Sequence, residues 1–329
     1  MTGKKRIVSG MRPTGALHLG NYHGALANWI TMQNDYDCFF FVADWHALTS
    51  DYENPAHIPA FTRQMIVDWL SAGLSPDKCT LFVQSHIKEH AELFLLLSMI
   101  TPVPWLERNP TYKEQIEALN NKDLSTLGFL GYPVLQAADI IIYKAEGVPV
   151  GIDQAPHIEI TREIARRFNY LFGPVFPEPA TILTQTSKIL GLDRRKMSKS
   201  YQNAIFLSDT PEDISARVAM MITDPQRMRR SDPGNPDICN VFEFHKIYSD
   251  AEMVATVNAD CRTAGIGCVE CKKLMAKGLI HALAPIREKN QYYNDHPEQV
   301  DAVIVAGREK AGRVAAETLA QVRAAVRLD

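Results

Sequence analysis

The chain has 329 residues, 46% hydrophobic and 22% charged, with a formal net charge of −3 at pH 7. That is enough for a substantial core and, by length, about two domains, while the slightly acidic balance argues against a coat-like nucleic-acid binder without excluding RNA on a local basic surface. No apolar run reaches the roughly 18 residues of a membrane span, and Met1-Thr2-Gly3-Lys4-Lys5 lacks a signal peptide's apolar stretch, so a cytoplasmic protein away from membranes is expected.

Arg6-Ile7-Val8-Ser9 reads as a first strand, followed by the loop Gly10-Met11-Arg12-Pro13-Thr14-Gly15. A helix then runs through His18-Leu19-Gly20-Asn21 to Ile30, with His18 and Asn21 on one face of its first turn. Its free N–H groups and dipole favour phosphate, and Gly20 admits a ligand close to the backbone. Taken alone, His18 reads as a capping or otherwise satisfied histidine. A buried strand at 38–44, a helix at 55–74 and a third strand at 80–84 follow. Pro102, Pro104 and Pro110 interrupt the pattern; a helical stretch at 124–143, a strand end at 148–151 and a helix at 157–170 resume it. Strands alternating with helices predict an α/β fold, a doubly wound parallel sheet, over 1–205. Helical patterns dominate 206–329, interrupted by a loop at 224–236 carrying Arg227, Arg229 and Arg230. This predicts a helical second domain, whose Ala-rich final helix at 311–328 has room to pack back on the first.

Three groups of residues carry chemistry. Lys196-Met197-Ser198-Lys199-Ser200 places two ammonium groups and two hydroxyls where they could hold the phosphates of ATP, although a short Lys/Ser run alone reads as a solvated loop. Asp139 lies among apolar helical residues and needs a partner, either a local cap or ion pair, or a ligand N–H such as an indole's. Cys239, Cys261, Cys268 and Cys271 cluster in the helical half, where a closed four-thiolate zinc site, an iron–sulfur cluster and unpaired thiols all fit the spacing. Cys38 and Cys79, in or beside strands, read as small buried hydrophobes.

His18-Leu19-Gly20-Asn21 together with the Lys196–Ser200 motif resembles the two signatures of class I aminoacyl-tRNA synthetases, and Asn21 in the last place resembles the tryptophanyl branch. The stretch from Gly131 to Tyr143, then Val148 to Gln154, His157, Glu159, Thr161 and Arg162, is similar to tryptophanyl-tRNA synthetases, and the resemblance runs from about residue 6 to the end. It implies an enzyme that joins tryptophan to ATP as tryptophanyl-adenylate, releases pyrophosphate, and passes the acyl group to tRNA(Trp). It implies His18, Asn21, Lys196 and Lys199 as the catalytic set. It also implies ATP contacts from Arg12, Pro13, Thr14, Gly20, Asn21, Gly151, Ile152, Asp153, Ile189, Lys196, Met197, Ser198, Lys199 and Ser200. For tryptophan it implies His46, Tyr132, Gln136, Asp139, Val148, Val150 and Gln154, with Asp139 on the indole N–H. Three positions depart from the family pattern: Gln136 where Met is common, Ile152 where Glu is usual, and Arg12 where Gln is common.

A subset of that family carries a [4Fe–4S] cluster on four cysteines of this arrangement, near the anticodon-reading surface, with one residue more in the first gap. The resemblance thus favours the cluster over Zn²⁺ for Cys239, Cys261, Cys268 and Cys271, in a basic neighbourhood of Arg262, Lys272 and Lys273 that also reads as ordinary solvated charge. Mg²⁺ beside ATP and a homodimer bridged by tRNA are implied likewise. The rivals are a tyrosyl-tRNA synthetase, whose pocket must satisfy a phenolic O–H, and a synthetase-like RNA-binding protein without catalysis.

Overall fold

The computed structural model describes residues 3–108, 124–151, 154–184 and 189–328. Five parallel strands form one sheet: β1 Arg6–Met11, β2 Asp37–Val42, β3 Cys79–Val83, β4 Gly147–Val150 and β5 Ala180–Leu183, in the order β3-β2-β1-β4-β5. The interior strand β2 is buried along almost its whole length, so it reads as a continuous apolar run rather than an alternation. Its residues nevertheless divide by face. Cys38, Phe40 and Val42 join one hydrophobic cluster, and Phe39 and Phe41 the other.

On the first face lie the segment Ala27–Met32 and the helix Ile58–Ala72, where Trp29 stacks on Phe40 at 4.5 Å and meets Trp69 edge-on. Each such buried aromatic contributes roughly 2–3 kcal/mol by area removed from water. On the second face lie the helices Glu89–Ser98, Leu127–Ile141, Ala155–Phe172 and Pro297–Val326. The doubly wound α/β class expected from sequence is the fold observed.

After residue 206 the described elements are helical: Pro211–Ala219, Asn240–Tyr248, Ala251–Arg262, Cys268–Asp295 and Pro297–Val326. Their core is continuous with the sheet's first face, since Val257, Met275, Leu279 and Val300 belong to the same cluster as Ile7, Phe40 and Leu81. The last helix starts at Pro297, well before 311, and returns to β3. There Gly307 lies so close that a Cβ would stand 1.7 Å from the Leu81 carbonyl oxygen. A two-pronged ion pair, Arg323 Nε and Nη2 to the Glu92 carboxylate at 2.6 Å each, fixes its far end.

Several elements escape the sequence pattern, the short helices Asp44–Asp51 and Val103–Glu107 among them. The helix Glu89–Ser98 is so apolar that its buried positions, His90, Leu93 and Leu97, do not stand out from their neighbours. Strand β5 is a four-residue, half-exposed edge strand, too short to set a period. Among the described residues, no helix is long and apolar enough to cross a membrane.

Candidate active site

The sheet order reverses between β1 and β4. The segment after β1 packs on one face through Leu19, Leu26 and Trp29, and the helix after β4 on the other through Ile158, Ile164 and Phe168. Loops leaving these two strands therefore part, and a ligand crevice opens between them at the strands' carboxyl ends. Arg12, Pro13 and Thr14 leave β1 here, Gly151 leaves β4, His46 follows β2 and Gln84 follows β3. Ile152 and Asp153, expected at the nucleotide, lie outside the described residues.

His18 caps the short helix Leu19–Asn21. Its Nδ1 accepts from the Asn21 N–H at 3.2 Å, and its own N–H donates to Asn21 Oδ1 at 3.2 Å. The cap uses Nδ1 and leaves Nε2 for another partner, so capping and ligand contact are compatible roles. Burial, and then the Lys199 ammonium, push the imidazole down to about 4, so it is neutral near pH 7. The helix continues through a π-helical turn, Tyr22–Leu26, a feature often found at functional sites.

The second motif reaches the first across the crevice. Leu19 N–H donates to the Ile205 carbonyl and Leu207 N–H to the Leu17 carbonyl, each at 2.9 Å. Met197 is buried beneath Gly20, whose N–H points at its Sδ at 3.4 Å. Lys199 Nζ donates to the Thr14 carbonyl at 2.7 Å and lies 3.2 Å from where a Cβ on Gly15 would stand; Gly15, at φ +100°, is in the left-handed region anyway. Burial pushes Lys199 down to about 8, against the opposing charge of Asp68. Ser198 N–H donates to Asn203 Oδ1 at 2.8 Å, and Asn203 Nδ2 donates to Asp193 Oδ1 and the Lys196 carbonyl. Ile189 is buried behind this loop, while Lys196 and Ser200 are exposed. Arg12 donates through Nη2 to Ser50 Oγ, and its buried Nε has no partner among the described residues.

Asp139, on the helix Leu127–Ile141, is fully buried and has three protein donors. Gln84 Nε2 spans both oxygens at 2.8 Å, His46 Nε2 meets Oδ2 at 2.9 Å and His90 Nδ1 meets Oδ1 at 2.6 Å. Burial alone would raise this carboxyl, but the hydrogen bonds and charges of His46 and His90 outweigh it and hold it below its ordinary value. The chain extends to the Tyr143 hydroxyl, 2.6 Å from His90 Nε2. Beside it, Tyr132 OH lies 3.2 Å from His157 Nε2, and His157 Nδ1 lies 2.9 Å from Gln136 Oε1. Val148 is buried and Val150 half-buried at the end of β4, and Gln154 opens the helix Ala155–Phe172.

The chain matches the family model for class I tRNA synthetases specific for tryptophan and tyrosine over residues 1–284. It is 54% identical to the tryptophan–tRNA ligase of Thermotoga maritima over 98% of this chain and 99% of that one. With the Ralstonia nicotianae tryptophan–tRNA ligase it shares 45% identity over 98% of each. A solved Campylobacter jejuni tryptophanyl-tRNA synthetase, complexed with ADP and tryptophan, superposes with a TM-score of 0.91 at 30% identity, covering 98% of this chain and 100% of that one. The chain belongs to the class I tryptophanyl-tRNA synthetases. Its activity is that of a tryptophan–tRNA ligase, with tryptophan, ATP and tRNA as substrates.

In this synthetase the four clustered cysteines converge. Cys268 and Cys271 open the helix Cys268–Asp295, Cys239 precedes Asn240–Tyr248, and Cys261 lies near the end of Ala251–Arg262. Burial pushes Cys271 up to about 12, with the other three thiols adding to the shift. Arg227 Nη1 lies 3.8 Å from Cys268 Sγ, and His245 Nε2 lies 3.5 Å from Cys271 Sγ. Among the described residues no three His, Cys, Asp or Glu side chains are grouped as the ligands of an ion, so the thiols are gathered but not closed into a shell. The basic neighbours are largely engaged: Arg262 pairs with Asp237 at 2.7 Å and Lys272 donates to the Ala219 carbonyl. Cys38 and Cys79 are neighbours across β2 and β3 and buried in the core.

Sequence reasoning missed Asp68, Gln84, His90, Tyr143 and Asn203. Gln84 had a positional signal, because it directly follows a strand's carboxyl end as His46 nearly does. Asp68, an acid inside the apolar run Met65–Leu70, was a second Asp139 in kind.

Proposed function

We propose that the synthetase forms tryptophanyl-adenylate in the crevice between β1 and β4. The carboxylate of tryptophan attacks the α-phosphate of ATP and pyrophosphate leaves; the acyl group then passes to the terminal ribose of tRNA(Trp). The observation that carries this reading is the Lys199 Nζ contact with the Thr14 carbonyl, which brings a cation to the loop beside the His18 helix. Lys196 and Lys199 stabilise the departing pyrophosphate, with Mg²⁺ accompanying ATP and sharing its charge. Neutral His18 and Asn21 contact the phosphate and ribose region, and Arg12, with its unmatched Nε, meets the phosphates. Pro13, Thr14, Gly20, Gly151, Ile152, Asp153, Ile189, Met197, Ser198 and Ser200 complete the nucleotide site.

Tryptophan lies against His46, Tyr132, Gln136, Val148, Val150 and Gln154. Its indole N–H reaches Asp139 by displacing one of the four contacts that Gln84, His46 and His90 make with the two carboxylate oxygens. A phenol demands a donor as well as an acceptor, which a carboxylate kept ionised cannot supply. Lys199→Ala tests the assignment: ATP–pyrophosphate exchange falls by about 100-fold or more while tryptophan binding stays near wild type. Unchanged exchange refutes it.

The residues from 206 onward serve tRNA as a helical domain behind the catalytic residues 1–205, in a cytoplasmic homodimer. Cys239, Cys261, Cys268 and Cys271 hold a [4Fe–4S] cluster, with Zn²⁺ the alternative. The gathering of the four thiols, two of them in the first turn of one helix, supports this reading. Iron and zinc analysis with an optical spectrum of anaerobically purified protein decides it: equimolar zinc without visible absorption rules out the cluster.

A further inference from the structure

Asp68 lies in the middle of the helix Ile58–Ala72, 1% exposed, where an unpaired carboxylate would be costly. Four groups act on it. Oδ2 accepts the Leu17 backbone N–H at 2.7 Å, one residue before His18. Oδ1 accepts Gln64 Nε2 at 2.8 Å from its own helix and Asn290 Nδ2 at 3.0 Å from the helix Cys268–Asp295. Asn294 Nδ2 donates to Asn290 Oδ1 at 2.9 Å, which fixes the Asn290 amide with its donor toward Asp68. The Lys199 ammonium is the fourth group: it is not in ion-pair contact, but its charge and that of Asp68 favour each other across the site.

Hydrophobic packing alone does not call for an acid here, and a Leu would fill the position without desolvating a charge. What the acid adds is a link between the signature loop, the lysine motif and a C-terminal helix.

We propose that Asp68 is a positioning residue for adenylate formation: its carboxylate, braced by Gln64 and Asn290, fixes the Leu17 backbone that presents His18 and lends its negative charge to the Lys199 side of the site. This deepens the reading of Lys199 given above and rests on it. Asp68 touches no substrate and acts through the Leu17 N–H and the Lys199 charge. The titratable groups facing Lys199 are Asp68 and His18; those facing Asp68 reduce to Lys199, its other neighbours being amides.

Burial raises the Asp68 carboxyl to about 6 and lowers Lys199 to about 8. The two therefore bracket a pH window in which both carry charge.

The test is ATP–pyrophosphate exchange as a function of pH in the full-length protein, with Asp68→Asn, Asn290→Ala and Lys199→Ala beside wild type. Asp68→Asn lowers kcat by roughly 10–100-fold with the KM for tryptophan within about twofold of wild type. It also abolishes the acid limb near pH 6 and moves the alkaline limb below about 8. Asn290→Ala keeps the carboxylate, so it lowers kcat by about 3–10-fold and retains the acid limb. An Asp68→Asn enzyme at the wild-type rate, or one slowed with both limbs unmoved, overturns the proposal; the second result marks a structural role only. Should that variant not fold, Asn290→Ala at the wild-type rate overturns it. Lys199→Ala at the wild-type rate removes the underlying reading and the proposal together, whereas an impaired Lys199→Ala beside an unaffected Asp68→Asn removes the proposal alone.

Discussion

The Gly20 N–H and Met197 Sδ stand 3.4 Å apart across 177 residues of sequence, and this contact joins the two signature motifs. A thioether is a weak acceptor, so the contact serves packing more than hydrogen bonding. A Cβ at Gly20 would stand 3.3 Å from Met197 Cβ and 3.0 Å from the His18 ring. Gly20→Ala therefore displaces the lysine loop while improving helix propensity. The expected result is a fall of about 10-fold or more in kcat/KM for ATP with stability changed by under about 1 kcal/mol. Exchange kinetics beside urea unfolding check it; a wild-type kcat/KM refutes it.

Asn203 holds the lysine loop from behind, accepting from the Ser198 N–H and donating to Asp193 and the Lys196 carbonyl. Asn203→Ala leaves these groups without their shared partner. It should raise the KM for ATP and lower kcat together, by about 10-fold in kcat/KM, with tryptophan affinity unchanged. Equilibrium binding of tryptophan beside steady-state exchange separates the two; equal loss of tryptophan binding argues for a global effect instead.

The sheet was legible because its strands are short apolar runs between turn signals, and β1, β2 and β3 fall within a residue or two of their expected ends. The ATP signatures were legible because their chemistry is concentrated in contiguous residues. The supports were not. Asn203 acts through loop partners 5 to 10 residues away that form no periodic pattern, and Gln84 and His90 reach Asp139 across 55 and 49 residues. No local pattern encodes such a pairing. The sequence offers Asp139 a protein partner or a ligand as alternatives, and the fold supplies three protein donors that meet both carboxylate oxygens.

His90 connects Asp139 to the Tyr143 hydroxyl through both ring nitrogens. Its replacement by Leu leaves a buried carboxylate one donor short and a buried phenol unpaired. A stability loss of about 3 kcal/mol and a roughly 10-fold weaker tryptophan affinity are expected, with the KM for ATP little changed. Denaturant unfolding and equilibrium dialysis with tryptophan measure both; intact affinity shows that the pocket does not depend on this donor.

Asp68 carries a pH signature in stability as well as in rate. Burial raises its carboxyl from 3.8 to about 6, so between these values the folded state holds the proton more tightly than the unfolded chain does. Its contribution is thus most favourable below 3.8 and is lost as pH rises through about 6, on the order of 3 kcal/mol in all. Asp68→Asn has no such proton. The unfolding free energy of wild type minus that of the variant should therefore fall from acid to neutral pH. A difference that stays level, measured by urea unfolding at matched salt, contradicts the assigned direction.

The last helix depends on one absent methyl group. Gly307 faces β3 so closely that a Cβ would stand 1.7 Å from the Leu81 carbonyl oxygen and 3.5 Å from Phe82 Cβ. Neither the strand backbone nor the sheet beneath it has a flexible end that could yield. Gly307→Ala gains about 1 kcal/mol in helix propensity, yet it must move the helix off the strand. Ala311, Ala315, Leu319 and Val322, all buried beyond it, would lose contact with the second face of the core. The loss should exceed the gain, for a net destabilisation of about 2–4 kcal/mol. The crevice residues lie at the strands' carboxyl ends, so kcat measured on the folded fraction should stay near wild type. Thermal unfolding together with exchange kinetics tests both halves, and a variant as stable as wild type shows that the helix and β3 can separate without cost.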